Sequence, residues 1–377
     1  MSPEEKDLAP QRERLDLIDR QILDLLSERN NIIKEISRKK VRKKLPIFVA
    51  SRENEKTKAF RKQAEARDLD PEWAEDFLRM IMSSSRASQS AEEFPRATRE
   101  PKHILIVGAK GGMGNLYARI AEQTDHEVFR IDKHNWHELE EIAPRLDLAI
   151  VTVPINVTVD VIKRLGPKLN SQTILADFTS NKSEPIEAML EVHDGPVVGL
   201  HPMHGPDVQN LSKQLMVACP ARDADRADWL IRQCRLWGMQ VIEADPEKHD
   251  HVMHMVQGLR HFVALLHGSF MKTYDLKPQD ILDYSSPIYR AELMMTGRIF
   301  AQSAELYADI VFANKERREL LLQFFEHHKR LSTMVENDDK EGFIKEFESV
   351  TDFFGRFASQ ALKESGYLIN RLADRFA

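Results

Sequence analysis

The segment "HILIVGAKGGMGNLYARI" constrains the fold of this chain more than any other part of the sequence. It reads as a short β-branched strand, a glycine turn and the start of a helix, and Asp132 follows where the next strand pattern, "FRID", ends. Glycines let the backbone approach a pyrophosphate, the helix N-terminus offers free N–H groups, and an acid at this point binds ribose hydroxyls. The order predicts a dinucleotide-binding βαβ unit, with an ordinary βαβ turn as the alternative.

The glycine pattern departs at one position from G-x-G-x-x-G. If Gly111 and Gly114 are its second and third glycines, the first position is Ala109, and Gly108 lies one residue earlier. An alanine fits there only if that residue keeps a negative φ. The departure therefore concerns the local geometry of the turn rather than nucleotide binding.

The predicted cofactor is NAD, and no metal is expected. The carboxylate of Asp132 would repel the 2′-phosphate of NADP, although Lys133 stands beside it. The predicted cofactor-binding residues are Gly108, Gly111, Gly112, Met113, Gly114, Asp132, Val153 and Pro154.

Composition argues against several classes of protein. The net charge of -6, with 30% charged residues, gives no overall attraction to nucleic acid or to an anionic membrane. The two cysteines, Cys219 and Cys234, form neither a disulfide framework nor a C-x-x-C motif, so we expect reduced core thiols. The acidic start "MSPEEKDLAP" lacks the apolar region of a signal peptide, and no apolar run is long enough to span a membrane. We expect a cytoplasmic protein.

The residue pattern changes twice along the chain. From Arg12 to about Gln89 it is helical without any glycine, and Pro46 breaks the first of three helices. From Lys102, the strand patterns "HILIVGA", "EVFRID", "LDLAIVTVP", "TILADF" and "PVVGLHP" leave room for helices between them, which favours a mostly parallel, doubly wound sheet. From about Pro246 the helical period returns. We predict an all-α N-terminal domain over residues 1–92, a linker over 93–101, an α/β Rossmann-type domain over 102–245 and an all-α C-terminal domain over 246–377.

The C-terminal segment carries more apolar surface than one small helical bundle needs to bury. A stripe at helical spacing contains Val252, Val256, Leu259, Val263, Leu266 and Phe270. A homodimer interface is the simplest use of such a surface, and a larger core within the chain is the alternative.

Polar residues interrupt the apolar stripes of the N-terminal helices. Counting in sevens places Arg29 and Lys40 on the stripe of the first helix, and Ser85 and Gln89 lie on the apolar face of the third. Buried cations are costly unless they are paired. The pattern indicates either an internal salt-bridge network, with Glu53 as an anion, or a closed polar cavity for a small polyanion.

The stretch "VGLHPMHGPD" places His201 and His204 among prolines and glycines, where we expect neither a helix nor a regular strand. The strand "PVVGL" would deliver His201 to the carboxyl end of the sheet, where doubly wound folds bind their ligands. A zinc site would need further ligands, and the cluster "HDHVMH" is the only tempting supplement. The residues alone leave open a metal pair, one catalyst with a neighbour, or plain loop residues.

In this order, the segments resemble a known family of bifunctional enzymes, the T-proteins, in which chorismate mutase is joined to prephenate dehydrogenase. The resemblance covers nearly the whole chain and rests on "RERLDLIDRQILDLLSERN", "LPIF", "VGLHPMHGPD", "QGLRHF", "SSPIYRAELMMTGRIFAQ" and "LYADI". It implies that the chain rearranges chorismate to prephenate and then, with NAD, oxidatively decarboxylates prephenate to 4-hydroxyphenylpyruvate for tyrosine synthesis. It also implies a three-helix, domain-swapped mutase dimer and feedback inhibition by tyrosine.

For the mutase, the resemblance assigns Arg12 of the partner chain and Arg29 to the two carboxylates of chorismate. Lys40 and Gln89 would contact the ether oxygen, and Arg52, Glu53 and Ser85 would complete the pocket. A pericyclic rearrangement needs no nucleophile or base, so catalysis comes from holding a compact conformer and from a cation at the breaking C–O bond. Related monofunctional mutases carry an acid where Val49 stands, which leaves Glu53 for the substrate hydroxyl.

For the dehydrogenase, the resemblance makes His201 the base that accepts a hydrogen bond from the 4-hydroxyl of prephenate. Ser180 would orient this histidine, and Arg298 would bind the ring carboxylate. His261 matches a residue associated with the substrate side chain and with tyrosine inhibition, and Lys182 is a weaker candidate. The family counterpart of His204 is often aromatic, so we interpret it as a wall of the pocket.

Three other functions remain alternatives. The same architecture suits a dehydrogenase of another hydroxy acid, although such enzymes commonly use a lysine on the helical domain and have no reason to carry a mutase. Arogenate is a closer rival substrate, since it differs from prephenate only in the side-chain amine. A non-enzymatic nucleotide sensor would have lost the cavity cations, which are all present here.

Overall fold

The computed structural model describes residues 8–89, 94–208 and 210–376. The described chain up to Val153, together with Val157–Pro246, forms one compact unit, and Pro154–Asn156 with the chain from Glu247 onward form a second. Over the described residues, no helix is both long enough and apolar enough to cross a membrane. The predicted limits of the N-terminal domain, the linker, the Rossmann-type domain and the C-terminal domain stay predictions.

Three helices form the N-terminal part of the first unit, as the sequence predicts. They are α1 (Ala9–Arg42), α2 (Ala50–Glu65) and α3 (Pro71–Gln89). Helix α1 ends before Pro46, which has no N–H to continue the helical hydrogen bonds. Helices α2 and α3 pack together, and Ala64, Ala74 and Leu78 are buried on them. Much of the apolar stripe of α1 is exposed within one chain: Leu15, Ile18, Ile22, Leu25, Ile32 and Ile36.

The remainder of the first unit is built on a seven-stranded sheet in the order β2-β1-β3-β4-β5-β6-β7. The strands are β1 (His103–Val107), β2 (Glu127–Ile131), β3 (Leu148–Val151), β4 (Ile174–Asp177), β5 (Val197–Pro202), β6 (Leu215–Arg222) and β7 (Gln240–Glu243). Strands β1 to β5 are parallel, β6 runs antiparallel to β5, and β7 runs parallel to β6. The five strands that the sequence predicts are therefore present, and β6 and β7 were not predicted.

Helices are connected to this sheet between successive strands. They are α4 (Gly112–Gln123), α5 (Leu139–Ile142), α6 (Ile155–Leu165), α7 (Ser183–Val192) and α8 (Ala224–Leu236). Alternate residues of β1 enter two separate cores, with Ile104 and Ile106 in one and Leu105 and Val107 in the other. This alternation follows from the two-residue period of a strand, and both faces must be apolar because both are covered. Ile47, from the connection between α1 and α2, belongs to the first of these cores.

The second unit is helical throughout its described residues, as predicted. Its elements are α9 (Pro246–Met253), a π-helix (His254–Leu259), α10 (Arg260–Thr273), α11 (Pro278–Leu282), α12 (Pro287–Phe300), α13 (Ala304–Val311), α14 (Lys315–Glu336), α15 (Lys340–Phe354) and α16 (Arg356–Phe376). Side-chain oxygens of Ser286, Ser303 and Asn314 cap α12, α13 and α14, which explains where these helices begin. The predicted apolar stripe runs through α9, the π-helix and α10, and most of it is exposed within this chain, including Val252, Val256 and Phe270.

Candidate functional site

The glycine turn follows β1, whose two neighbours in the sheet are β2 and β3. The connection after β1 leads to β2, whereas the connection after β3 leads to β4 in the opposite direction, and doubly wound sheets bind nucleotides at such a point. Gly108 has a φ of 90°, whereas Ala109 has no positive φ, so an alanine is tolerated at this position. A β-carbon on Gly114 would lie 2.6 Å from Thr152 Oγ1, and one on Gly112 would lie 2.8 Å from Pro206 Cγ. The turn therefore tolerates no side chain at these positions.

Asp132 lies beside the glycine turn. The backbone N–H of Lys110 points to Asp132 Oδ1 at 3.4 Å, and the backbone N–H of Asp132 donates to Asn135 Oδ1 at 2.7 Å. Gly111 is the N-cap of α4, so the free N–H groups of the first helical turn begin at Gly112 and Met113. A bare glycine cradle, free amides and an adjacent carboxylate are the features that fit a dinucleotide.

The remaining cofactor candidates, Val153 and Pro154, follow β3. Val153 Cγ1 lies 3.0 Å from the position that a β-carbon on Gly108 would take. Thr152 Oγ1 donates to the carbonyl of Val107 at 2.8 Å and ties this segment to the end of β1. The ends of β1 and β3 therefore meet at the glycine turn.

His201 lies within a regular strand, which corrects our expectation that no strand runs through "VGLHPMHGPD". Strand β5 continues to Pro202, and His201 pairs with Val217 of the antiparallel strand β6. Proline is tolerated at this end because the strand pairing is continued by the N–H of Met203, which donates to the carbonyl of Leu215 at 2.9 Å. His201 is 4% exposed, so its side chain is largely shielded from water.

The loop after β4 brings polar groups to the strand that carries His201. Asp177 at the end of β4 pairs with Gly199 of β5. Ser180 follows Asp177 by three residues, and His201 follows Gly199 by two. Ser180 Oγ is buried and makes no hydrogen bond to any residue that the structure describes. Lys182, also predicted as a site residue, is fully buried, pairs with Asp177 and donates to the carbonyl of Leu200 at 2.9 Å. Its ammonium links the ends of the two strands.

Three of the predicted mutase cations, Arg29, Lys40 and Arg52, converge between the three N-terminal helices. Arg29 Nη1 donates to Ser85 Oγ at 2.5 Å, and Lys40 Nζ donates to the carbonyl of Ile47 at 2.6 Å. Burial lowers the pKa of Arg29. The pKa of Lys40 is lowered by burial and then by the charge of Arg52, against the opposing effect of Glu53. These groups interact as a cationic pocket whose charges repel one another.

Lys56, which was not predicted, belongs to the same pocket. Burial lowers its pKa, and the charges of Arg29 and Arg52 lower it further. It lies four residues after Arg52 on α2, a spacing that puts two side chains on one helix face. This spacing is the feature of the sequence from which the place of Lys56 in the pocket could have been predicted.

One predicted mutase residue, Arg12, lies far from this cluster. Arg12 and Arg29 are 17 residues apart on the continuous helix α1, which separates them by about 25 Å along its axis. Arg12 therefore cannot complete the pocket of its own chain, and its contribution from a partner chain stays a prediction. The side chain of Gln89 lies outside the described residues.

His261 and Arg298 lie in the second unit. The ring of His261 packs edge-on against Tyr307 with centroids 4.8 Å apart. Burial, followed by the charges of Arg260 and Arg317, lowers the pKa of His261 to about 4, so this ring is neutral near pH 7. Arg317 is fully buried and was not predicted, whereas Arg298 is exposed near the C-terminal end of α12.

In the described chain, no group of three or more His, Cys, Asp or Glu side chains is arranged to hold a metal ion. Within the cluster "HDHVMH", His249 pairs with Asp250 at 2.8 Å, and the rings of His251 and His254 pack against each other.

Family models match three parts of the chain. The model described as chorismate mutase type II matches residues 11–90, that of the prephenate dehydrogenase nucleotide-binding domain matches residues 122–239, and that of the prephenate dehydrogenase dimerization domain matches residues 245–349. The fold and these matches define the class: a helical mutase joined to an NAD-dependent dehydrogenase.

Whole-chain relatives narrow this class. The T-protein of Haemophilus influenzae is 37% identical over 363 residues, which is 96% of each chain. The T-protein of Enterobacter agglomerans is 36% identical over 368 residues, 98% of each chain. The chain belongs to the T-protein family. It is an isomerase and an oxidoreductase of tyrosine biosynthesis, which rearranges chorismate to prephenate and then oxidatively decarboxylates prephenate to 4-hydroxyphenylpyruvate with NAD.

A solved structure agrees with the fold of the dehydrogenase part. The prephenate dehydrogenase of Aquifex aeolicus, in complex with hydroxyphenyl propionate and NAD+, superposes with a TM-score of 0.55 at 19% identity. It covers 67% of this chain and 97% of its own. At this identity, the likeness concerns the fold alone.

Proposed function

We propose that His201 is the base of the dehydrogenase reaction and that Ser180 orients it. NAD, when bound, accepts the hydride from C4 of prephenate. The neutral imidazole takes the 4-hydroxyl proton as that oxygen becomes a carbonyl and the ring carboxylate leaves as CO₂. The proposal is supported by the position of His201 at the end of β5, beside a loop in which the buried Ser180 hydroxyl keeps its hydrogen-bonding capacity.

In this proposal, Arg298 binds the ring carboxylate of prephenate, and His261 contacts its side chain as a neutral imidazole. His261 also takes part in inhibition by tyrosine, whose side chain resembles that of the product. The lowered pKa of His261 supports a hydrogen-bonding role rather than a charged one. We assign Lys182 a structural role in the site: it fixes the ends of β4 and β5 and does not contact the substrate, because its ammonium is engaged by Asp177 and by the carbonyl of Leu200.

For the mutase reaction, we propose that the cationic pocket holds the dianion chorismate. Arg29 and the Arg12 of a partner chain bind the two carboxylates, Lys40 and Gln89 act on the ether oxygen, and Arg52, Glu53 and Ser85 complete the pocket. Burial and then the charge of Arg52 lower the pKa of Lys40, and burial and then the charges of Arg29 and Arg52 lower the pKa of Lys56. These shifts support the assignment, because a bound dianion relieves the repulsion among the cations.

The assembly that fits this chemistry is a homodimer in the cytoplasm. Arg12 is too far along α1 from Arg29 to serve the same pocket. The exposed apolar residues of α1, among them Leu15 and Leu25, provide a surface that a second copy of the helix would cover. The exposed stripe of α9 and α10 supports a second contact between copies.

One experiment separates the two proposed sites. His201→Asn is expected to abolish NADH formation from prephenate and to leave the loss of chorismate nearly intact, whereas Lys40→Ala is expected to do the reverse. Chorismate and prephenate are supplied separately and each reaction is followed by absorbance. Arogenate, the amine analogue of prephenate, is supplied as a third substrate. If either variant loses both activities while it remains folded, the assignment to two separate sites is wrong.

A further inference from the structure

Lys213 extends from the sheet-based part of the first unit towards the N-terminal helices. It precedes β6 with a φ of 68°, and its backbone N–H donates to the carbonyl of Gly238 at 2.9 Å. Two residues earlier in this loop, Leu211 is buried in the core beneath the sheet. The backbone of Lys213 is therefore fixed by the dehydrogenase part of the chain, and its side chain can contact the N-terminal helices.

The ammonium of Lys213 reaches a carboxylate of the proposed mutase pocket. Lys213 Nζ lies 2.7 Å from Glu53 Oε2 on α2 and 5.0 Å from the centroid of the Phe48 ring. The other oxygen, Glu53 Oε1, pairs with Arg86 of α3. The side chain of Glu53 is 16% exposed, so this carboxylate is held between two cations with little competition from water.

A second contact connects the same two parts of the chain. The side chain of Ile47 is buried in the core of the sheet, while its carbonyl accepts the hydrogen bond from Lys40 Nζ. The segment between α1 and α2 is therefore seated on the dehydrogenase part. Two proposed mutase residues, Lys40 and Glu53, are each held by a group that is anchored there.

We propose that Lys213 is a positioning residue of the mutase reaction. It fixes the carboxylate of Glu53, and a carboxylate oxygen has lone pairs beyond those used by Lys213 and Arg86, so Glu53 can still accept a hydrogen bond from the chorismate hydroxyl. The mutase pocket is then completed by a side chain of the dehydrogenase part of the same protein. This inference rests on the proposed place of Glu53 in the mutase pocket.

The test compares Lys213→Met, Lys213→Arg and Lys168→Met in the full-length enzyme. Lys168 is the matched control, because it forms an exposed pair with Glu140 at 3.4 Å on the same unit. Lys213→Met is expected to lower kcat/KM for chorismate about ten-fold, because Glu53 loses a half-buried charge partner. The change should be mainly a rise in KM, because the contact with the chorismate hydroxyl already exists in the ground state. Lys213→Arg should recover most of the loss, and Lys168→Met should match the wild type.

Two further measurements make the outcomes distinguishable. Turnover of prephenate supplied directly with NAD reports on the fold and should be unchanged in all three variants. In a Glu53→Gln background, Lys213→Met should have no additional effect, because its partner charge is already absent. Wild-type mutase kinetics in Glu53→Gln alone would refute the proposed site. Three outcomes would overturn the role of Lys213. In the first, Glu53→Gln lowers mutase activity but Lys213→Met does not. In the second, the effects of the two substitutions on mutase activity add up in the double variant, and in the third, Lys213→Met lowers prephenate turnover as much as mutase activity.

Discussion

His204 and Tyr117 form a stacked, hydrogen-bonded pair. His204 Nε2 lies 3.1 Å from the Tyr117 hydroxyl, and the two ring planes are inclined by 19°. Burial lowers the pKa of His204, which keeps the ring neutral near pH 7, and raises the pKa of Tyr117. Of the two histidines in "VGLHPMHGPD", His204 is thus engaged with helix α4, while His201 belongs to the sheet.

His204→Phe tests whether this ring is only a wall. A phenylalanine can keep the stacking on Tyr117, so dehydrogenase kcat/KM should stay within about two-fold of the wild type. Loss of the hydrogen bond to the buried tyrosine should lower the free energy of unfolding by about 1 kcal/mol. Prephenate kinetics and urea unfolding measure the two effects. A large loss of turnover in a stable variant would mean that His204 takes part in the chemistry.

Gly114→Ala should weaken NAD binding. Its β-carbon would collide with Thr152 Oγ1 and with the Gly108 carbonyl, so the turn must open. Loss of one backbone hydrogen bond to a charged phosphate costs roughly 1.5–3 kcal/mol, which is about a ten- to hundred-fold rise in KM for NAD. Gly366→Ala is the matched control, since no atom of the described residues lies within 4 Å of its β-carbon position. An unchanged KM in Gly114→Ala would place the cofactor elsewhere.

Asp132→Ser should improve the use of NADP. Removal of the carboxylate removes its repulsion of a 2′-phosphate, and Lys133 remains beside it. We expect the ratio of kcat/KM for NADP to that for NAD to rise about ten-fold or more. The exposed Asp194 provides a control, and Asp194→Ser should leave the ratio as it is. If Asp132→Ser leaves the ratio unaltered as well, this acid does not face the ribose.

Arg298→Gln should mainly raise KM for prephenate, because a carboxylate contact is present in the ground state as well as in the transition state. Loss of a charge-assisted pair predicts a rise of about ten-fold. Mutase kinetics in the same protein should not change. Arg330→Gln, which removes an exposed pair with Glu346 at 2.9 Å, should leave both activities intact. A fall in kcat at constant KM would contradict a role in substrate binding.

His126 should make stability depend on pH. Its Nδ1 accepts the backbone N–H of Lys102 at 3.0 Å, and burial, followed by the charge of Arg96, lowers its pKa to about 4 from 6.5. The unfolded chain then binds the proton more readily than the folded one. The contribution of His126 to stability is therefore complete above pH 6.5 and is lost as the pH falls from 6.5 towards 4.

Urea unfolding between pH 7.5 and pH 5 measures this dependence. His126→Gln should lose less stability over the interval than the wild type, because one of the groups that must bind a proton is gone. The exposed His134 serves as the control, and His134→Gln should follow the wild-type curve. Parallel curves for His126→Gln and the wild type would contradict the prediction.

The order of helices and strands could be predicted because hydrophobic periodicity is a local property. The α1–α3 helices, the first five strands and the helical C-terminal segment all follow from it. Strand β6 was not predicted: it contains Pro220, which argues against a regular strand, and a register irregularity beside Val198 accommodates it. The reversal of direction at β6 also extended β5 through His201, which no local pattern indicated.

Local patterns identified the residues available for chemistry: the glycine turn with its acid, the cations on apolar stripes, and the histidine at a strand end. The partners of these residues follow from tertiary packing. Lys56 lies in the cationic pocket, and the Tyr117 hydroxyl is hydrogen-bonded to His204. Lys213 pairs with Glu53, 160 residues earlier in the chain. Such pairings depend on how distant segments pack, and a local pattern contains no information about which segments will meet.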